Sequence, residues 1–188
     1  MSQAKPMEKT RHPLAYAQVV AEKLIELLAP ACERIAVAGS VRRLRPDVGD
    51  IELVAIPKVY PDFFANSHSM LDEAILSLVA KGVVDYRMNS RGARTFGPLN
   101  KLMIYQSGIW VDIFTATQEN WGRDLLVRTG SADFNRRVMS RFIQLGKRGH
   151  AYGDVAVTLA TGGSVRAPDE EAMFRLLHWD YIRPEERR

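Results

Sequence analysis

Residues 34–57 read RIAVAGSVRRLRPDVGDIELVAIP, and this stretch constrains the chain more than any other. Two apolar runs, Ile35–Ala38 and Ile51–Ile56, read as buried strands. Between them lie Gly39-Ser40, the pair Arg42-Arg43, and Pro46-Asp47-Val48-Gly49. The second strand opens with Asp50 and Glu52. Side chains two apart on a strand share a face, so both carboxylates point one way and Ile51 points the other, into a core. Neighbouring carboxylates repel, and a divalent cation between them relieves the repulsion. The Gly39-Ser40 turn complements the pair, because backbone N–H groups and a hydroxyl at such a turn suit phosphate oxygens. Arg42 and Arg43 add charge and fork-shaped donors. Phosphate donors beside a metal-binding acidic pair point to nucleoside triphosphate chemistry.

A third acid stands further on. Leu102–Gln106 and Ile109–Phe114 form a hairpin around Ser107-Gly108, and the second arm is an apolar strand interrupted only by Asp112. A buried carboxylate is costly unless partnered, so Asp112 needs either an ion pair or a metal.

The remaining segments are ordinary for a globular chain of 188 residues with 46% hydrophobic and 26% charged content. Residues 1–13 are expected to be a flexible tail. Tyr16, Val20, Leu24, Leu27 and Leu28 recur at helical spacing until Pro30. Ser69 caps a helix whose apolar face runs from Met70 to Val79 and which Gly82 ends. Val83–Met88 reads as a strand, and Asn89–Lys101 as a loop carrying Arg91, Arg94 and Lys101. Asn120 opens a short helix. Ser131 or Asp133 caps the next one, in which Phe134, Val138, Phe142 and Leu145 face inward. The other face of that helix carries Arg136, Arg137 and Arg141, with Lys147 and Arg148 at its end. A hairpin around Gly162-Gly163 and a helix over Ala172–Leu177 complete the chain. The net charge of +4 suits a polyanionic partner. The single Cys32 excludes an internal disulfide, no Cys/His cluster has zinc spacing, and no apolar run is long enough to cross a membrane. The expected setting is the cytoplasm, as a monomer.

Gly-Ser followed about ten residues later by Gly-Asp-x-Asp/Glu resembles the signature of the polymerase beta-like nucleotidyltransferases. Thr-Gly-Ser-x-x-Phe-Asn at 129–135 resembles the thumb motif of X-family DNA polymerases. The ending, an apolar helix and then Trp-x-Tyr-x-x-Pro-x-x-Arg, is similar to theirs too. The resemblance implies an α+β fold with a mixed-sheet palm at 14–118, its helices on one face, and a small α/β thumb at 119–188. It implies addition of nucleotides to a DNA 3′-OH by two-metal phosphoryl transfer, as in short-gap filling during DNA repair. Asp50 and Glu52 would hold both Mg²⁺ ions and Asp112 only the catalytic one, with Mn²⁺ as a possible substitute. Gly39, Ser40, Arg43 and Gly49 would bind the triphosphate; Gly130, Ser131, Phe134 and Asn135 would line the sugar and base pocket. DNA contacts are expected from Arg91, Arg94, Arg137, Arg141, Lys147 and Arg148.

Departures from the family pattern carry expectations of their own. No helix-hairpin-helix segment or lyase domain is expected, which leaves a minimal palm-and-thumb form. The second acid is Glu52 where Asp is commoner, and the displaced carboxylate should slow turnover or favour Mn²⁺. Val127-Arg128 replaces the usual Tyr-Phe screen against ribose, and the base-stacking and template-checking positions are Ala132 and Met139. Two rival readings follow: a template-independent or ribonucleotide-using terminal transferase, and a DNA-end-binding module disabled by Glu52.

Overall fold

The computed structural model describes residues 9–61, 63, 67–150 and 155–188. Its centre is a five-stranded mixed sheet of β1 (Cys32–Val37), β2 (Asp50–Pro57), β3 (Val84–Tyr86), β4 (Asn100–Tyr105) and β5 (Trp110–Thr115). The strand order is β1-β2-β5-β4-β3. Only the β2–β5 pairing is parallel; β1–β2, β4–β5 and β3–β4 are antiparallel. Parallel pairing brings the starts of β2 and β5 to the same end of the sheet, although 59 residues separate Asp50 from its partner Trp110.

Helix α1 (Leu14–Leu28) and, after the short α2 (Gly39–Arg42), helix α3 (Met70–Ala80) cover one face. Ala17, Val20, Ala21, Leu24 and Leu28 of α1 meet Leu71, Ile75 and Leu78 of α3 over Ile51, Leu53, Ala55, Val111 and Ile113. The inward set on β2 is therefore the odd-numbered one, as alternation requires. Ser69 caps α3 by accepting the Asp72 N–H at 3.2 Å, and Gly82 takes φ +68° just beyond its end.

The opposite face is only half covered. Helix α4 (Trp121–Thr129) lays Trp121 and Leu125 over Val54 and Ile56 at the far half of β2. Asp50 and Glu52, on the same face but nearer the start of the strand, are left partly accessible. A second core lies beyond α4, where Phe134, Val138 and Phe142 of α5 (Ala132–Gln144) pack on Met173, Phe174 and Leu177 of α6 (Glu170–Leu177). Three short antiparallel strands, β6 (Arg148–Gly149), β7 (Val157–Thr158) and β8 (Ser164–Val165), close this unit.

Of the thirteen residues expected to form a tail, 9–13 are described. His12 and Pro13 pair with Val48 and Asp47, which ties this segment across the loop that leads into β2. The helices expected on one face of the sheet are α1 and α3; α4 adds cover on the other.

Candidate active site

Alternation and register together assemble the acidic face. Glu52 and Asp112 are direct partners in the parallel ladder, and Asp50 lies one pleat before Glu52. Gly39 borders this patch with φ +61°, and a Cβ there would run into the Glu52 carboxylate. Glycine is thus required twice over, for the left-handed backbone and for the space. The amide of Ala38 donates to the Glu52 carbonyl at 2.8 Å and fixes the Gly39-Ser40 turn against β2.

The three carboxylates differ in their surroundings. Burial and then the charges of Asp50 and Asp112 push the Glu52 carboxyl up to about 7. Burial also raises Asp112 above its ordinary value, although Arg87 opposes this. Asp112 is ion-paired to Arg87, and Asp50 accepts from Lys9 Nζ at 2.7 Å. Both cations lie against Trp110: the Arg87 guanidinium is 4.3 Å from the ring centroid and the Lys9 ammonium 5.7 Å. Among the described residues no group of three His, Cys, Asp or Glu side chains is placed to hold a metal ion; Asp50 and Asp112 are each turned onto a protein cation. The donor type suits a divalent ion nonetheless, since three hard carboxylates share one face of the sheet, and repulsion from Asp50 and Asp112 adds to burial in raising Glu52.

A cleft of about 430 Å³ opens beside the acids, lined in part by Lys9, Arg11, Ser40, Arg43, Gly49 and Asp50. Of the expected phosphate ligands, Ser40, Arg43 and Gly49 all reach it. Ser40 Oγ and Arg43 Nε are buried without a hydrogen-bond partner, which leaves donors for a ligand. The other expected contacts divide. Gly130 has φ +58°, and a Cβ on it would stand 3.4 Å from Arg43 Nη1. Ser131 spends its hydroxyl as the cap of α5, accepting the Phe134 N–H at 3.2 Å. Asn135 donates to the Val127 carbonyl at 2.8 Å while its Oδ1 is unpartnered. Phe134 is fully buried against Phe174 and Trp179, within the core of this unit.

The basic residues divide in the same way. Arg91, Arg137 and Arg148 are exposed, and Arg94 stacks on Tyr86 with its guanidinium 4.6 Å from the ring centroid. Arg136, Arg137 and Arg141 line a shallow groove of about 520 Å³ with Trp179. Arg141 and Lys147, however, donate to the carbonyls of Leu177 and Leu176 at 3.0 and 2.7 Å. They cap the C-terminal end of α6, where cations are favoured. Lys101 is buried, donating to the Gly97 carbonyl and pairing with Asp72 at 3.0 Å; it anchors its loop instead of presenting charge.

Composition and periodicity missed a buried cluster joining the two cores. Arg42 bonds both oxygens of Glu170 at 2.9 and 2.6 Å and the Thr129 hydroxyl at 2.7 Å. Arg187 bonds Glu170 at 2.7 Å. Burial works to raise the Glu170 carboxyl, but the hydrogen bonds from Arg42 and Arg187 outweigh it and hold it below its ordinary value. Arg43 also donates to the Thr129 carbonyl. The Gly39-Ser40 segment and the Thr129-Gly130-Ser131 segment are therefore held together at one site.

Residues 124–188 match the DNA polymerase beta thumb family. Over that span the chain is similar to the thumb of polymerase beta-like enzymes. The match covers the helices and short strands packed around Phe134 and Phe174, and Thr129, Gly130, Glu170 and Arg187 of the junction all lie within it. No curated protein matches the chain. The acids and the Gly39-Ser40 turn lie in the first half of the chain, outside the matched residues, and the thumb match lies in the second. Among the described residues no helix is long and apolar enough to cross a membrane.

Proposed function

We propose that the chain is a DNA-directed nucleotidyltransferase that extends a DNA 3′-OH, with short-gap filling in repair as its task. One observation carries the reading: Glu52 and Asp112 are paired across β2 and β5 on the face turned away from the α1–α3 core, beside a cleft lined by Ser40, Arg43 and Gly49. The polymerase beta thumb match in the second half supports DNA as the polymer.

Asp50, Glu52 and Asp112 would hold Mg²⁺, two ions in the working complex, with Mn²⁺ as a substitute. When bound, such ions acidify the attacking hydroxyl and neutralise the triphosphate and the departing pyrophosphate. The protein's own part is positioning. Arg43, Arg11 and the Ser40 hydroxyl face the phosphates in the cleft. The thumb strand-and-helix unit carries Asn135 towards the nascent pair. The groove along α5 gives exposed guanidinium groups to the DNA backbone.

Single-nucleotide-gapped, recessed and unpaired primers, offered with each dNTP and rNTP under Mg²⁺ or Mn²⁺, test the reading. Template-matched addition of a dNMP to the gapped primer is expected. Equal extension of the unpaired primer would make the chain a terminal transferase, and salt-sensitive DNA binding without product under either ion would make it an end-binding module.

A further inference from the structure

Lys9 has a place at the site that the conversion of nucleotide does not by itself require. Its ammonium is 2.7 Å from Asp50 Oδ2, and its stem passes tightly over Gly49, where a Cβ would stand 2.5 Å from Lys9 Cε. The segment that carries it is anchored. His12 and Pro13 pair with Val48 and Asp47, Arg11 pairs with Asp47 at 3.3 Å, and the Leu14 amide donates to the Pro46 carbonyl at 3.0 Å. Lys9 also lines the cleft that holds Ser40 and Arg43. An ammonium on a four-carbon stem can change partner within a few ångströms while its backbone stays put.

We propose that Lys9 is an exchangeable counter-ion and a further triphosphate-binding residue. With no divalent ion, it neutralises Asp50. When the ion takes Asp50, the ammonium turns into the cleft and bonds the triphosphate between Arg11 and Arg43. Metal binding thereby delivers a positive charge to the phosphates, and nucleotide binding helps the ion displace Lys9. This rests on the nucleotidyltransferase reading above.

The test compares the full wild-type chain with Lys9→Met and Lys9→Arg. Mn²⁺ alone is titrated by electron paramagnetic resonance, and a non-hydrolysable α,β-imido dNTP is titrated calorimetrically at saturating Mn²⁺. Lys9→Met is expected to bind Mn²⁺ alone about tenfold more tightly, having no cation to displace, and the triphosphate about tenfold more weakly, the worth of one charge-assisted hydrogen bond. Lys9→Arg should keep triphosphate affinity within about threefold of wild type. Lys9→Met changes in the same direction for both ligands, or no change in either, overturn the proposal while leaving the enzyme reading intact. A wild-type chain that binds neither Mn²⁺ nor the triphosphate overturns both.

Discussion

Glu52 and Asp112 stand directly opposite one another in the parallel pairing of β2 with β5. Neighbouring strands are about 4.8 Å apart, so the two side chains share one patch of surface, and Asp50 extends it by one pleat. Nothing local joins them. The connection between the two strands runs through α3, β3 and β4, and the patch exists because the sheet inserts β5 next to β2.

That crowding has a pH signature. Glu52 titrates near 7 in the folded chain against 4.5 as its ordinary value, through burial first and the charges of Asp50 and Asp112 second. Between about pH 4.5 and 7 the folded state holds a proton that the unfolded state has lost, so stability falls as pH rises through that window. In metal-free protein, urea unfolding at pH 5 and pH 8 should differ by about 1–3 kcal/mol in this direction from Glu52 alone. Glu52→Gln should remove most of that difference.

Gly39 should tolerate no side chain. Gly39→Ala forces a Cβ into the Glu52 carboxylate at a backbone angle of φ +61°. The expected cost is about 1 kcal/mol of stability from the left-handed backbone, together with a loss of about a hundredfold in primer extension from a displaced acid. Gly163→Ala, in an open setting on the thumb hairpin with ordinary contact to Leu159, should leave extension near wild type.

The Arg42–Glu170–Arg187 cluster should behave as a single structural unit. Replacing Glu170 with Gln leaves the buried Arg187 and the partly buried Arg42 without their anion, and breaking such a cluster costs about 3–5 kcal/mol. Thermal unfolding should show the loss directly.

DNA binding should separate exposed cations from structural ones. Replacing the exposed Arg137 with Ala should lower DNA affinity and reduce the slope of log affinity against log salt by about one. Lys147→Ala removes the donor to the Leu176 carbonyl; it should lower stability and leave that slope nearly unchanged.

What could be read without coordinates was local. The period-2 alternation of Asp50, Ile51 and Glu52, the cap at Ser69, a cap at Ser131 or Asp133 and the stop at Gly82 each depend on neighbours a few residues away; the structure has all of them, with Ser131 as the cap. What could not be read was long-range. Arg87 lies 25 residues from Asp112, and Lys9 lies 41 from Asp50; both look like solvated charges until β3, β5 and the N-terminal segment are in place. The helical spacing of Phe134, Val138 and Phe142 was a local signal too, and all three are buried. Glu170 carried no sign of burial, because Arg42, which bonds both its oxygens, lies 128 residues away.

Single-turnover primer extension by the Asp112→Asn chain tests the central claim most directly. The carboxamide keeps the shape of the residue and removes the charge opposite Glu52. At saturating gapped DNA and Mg²⁺, extension should fall by at least about a hundredfold while DNA affinity stays within about threefold of wild type. Extension at the wild-type rate would contradict the assignment of Asp112, and with it the acidic patch as the place where nucleotide transfer occurs.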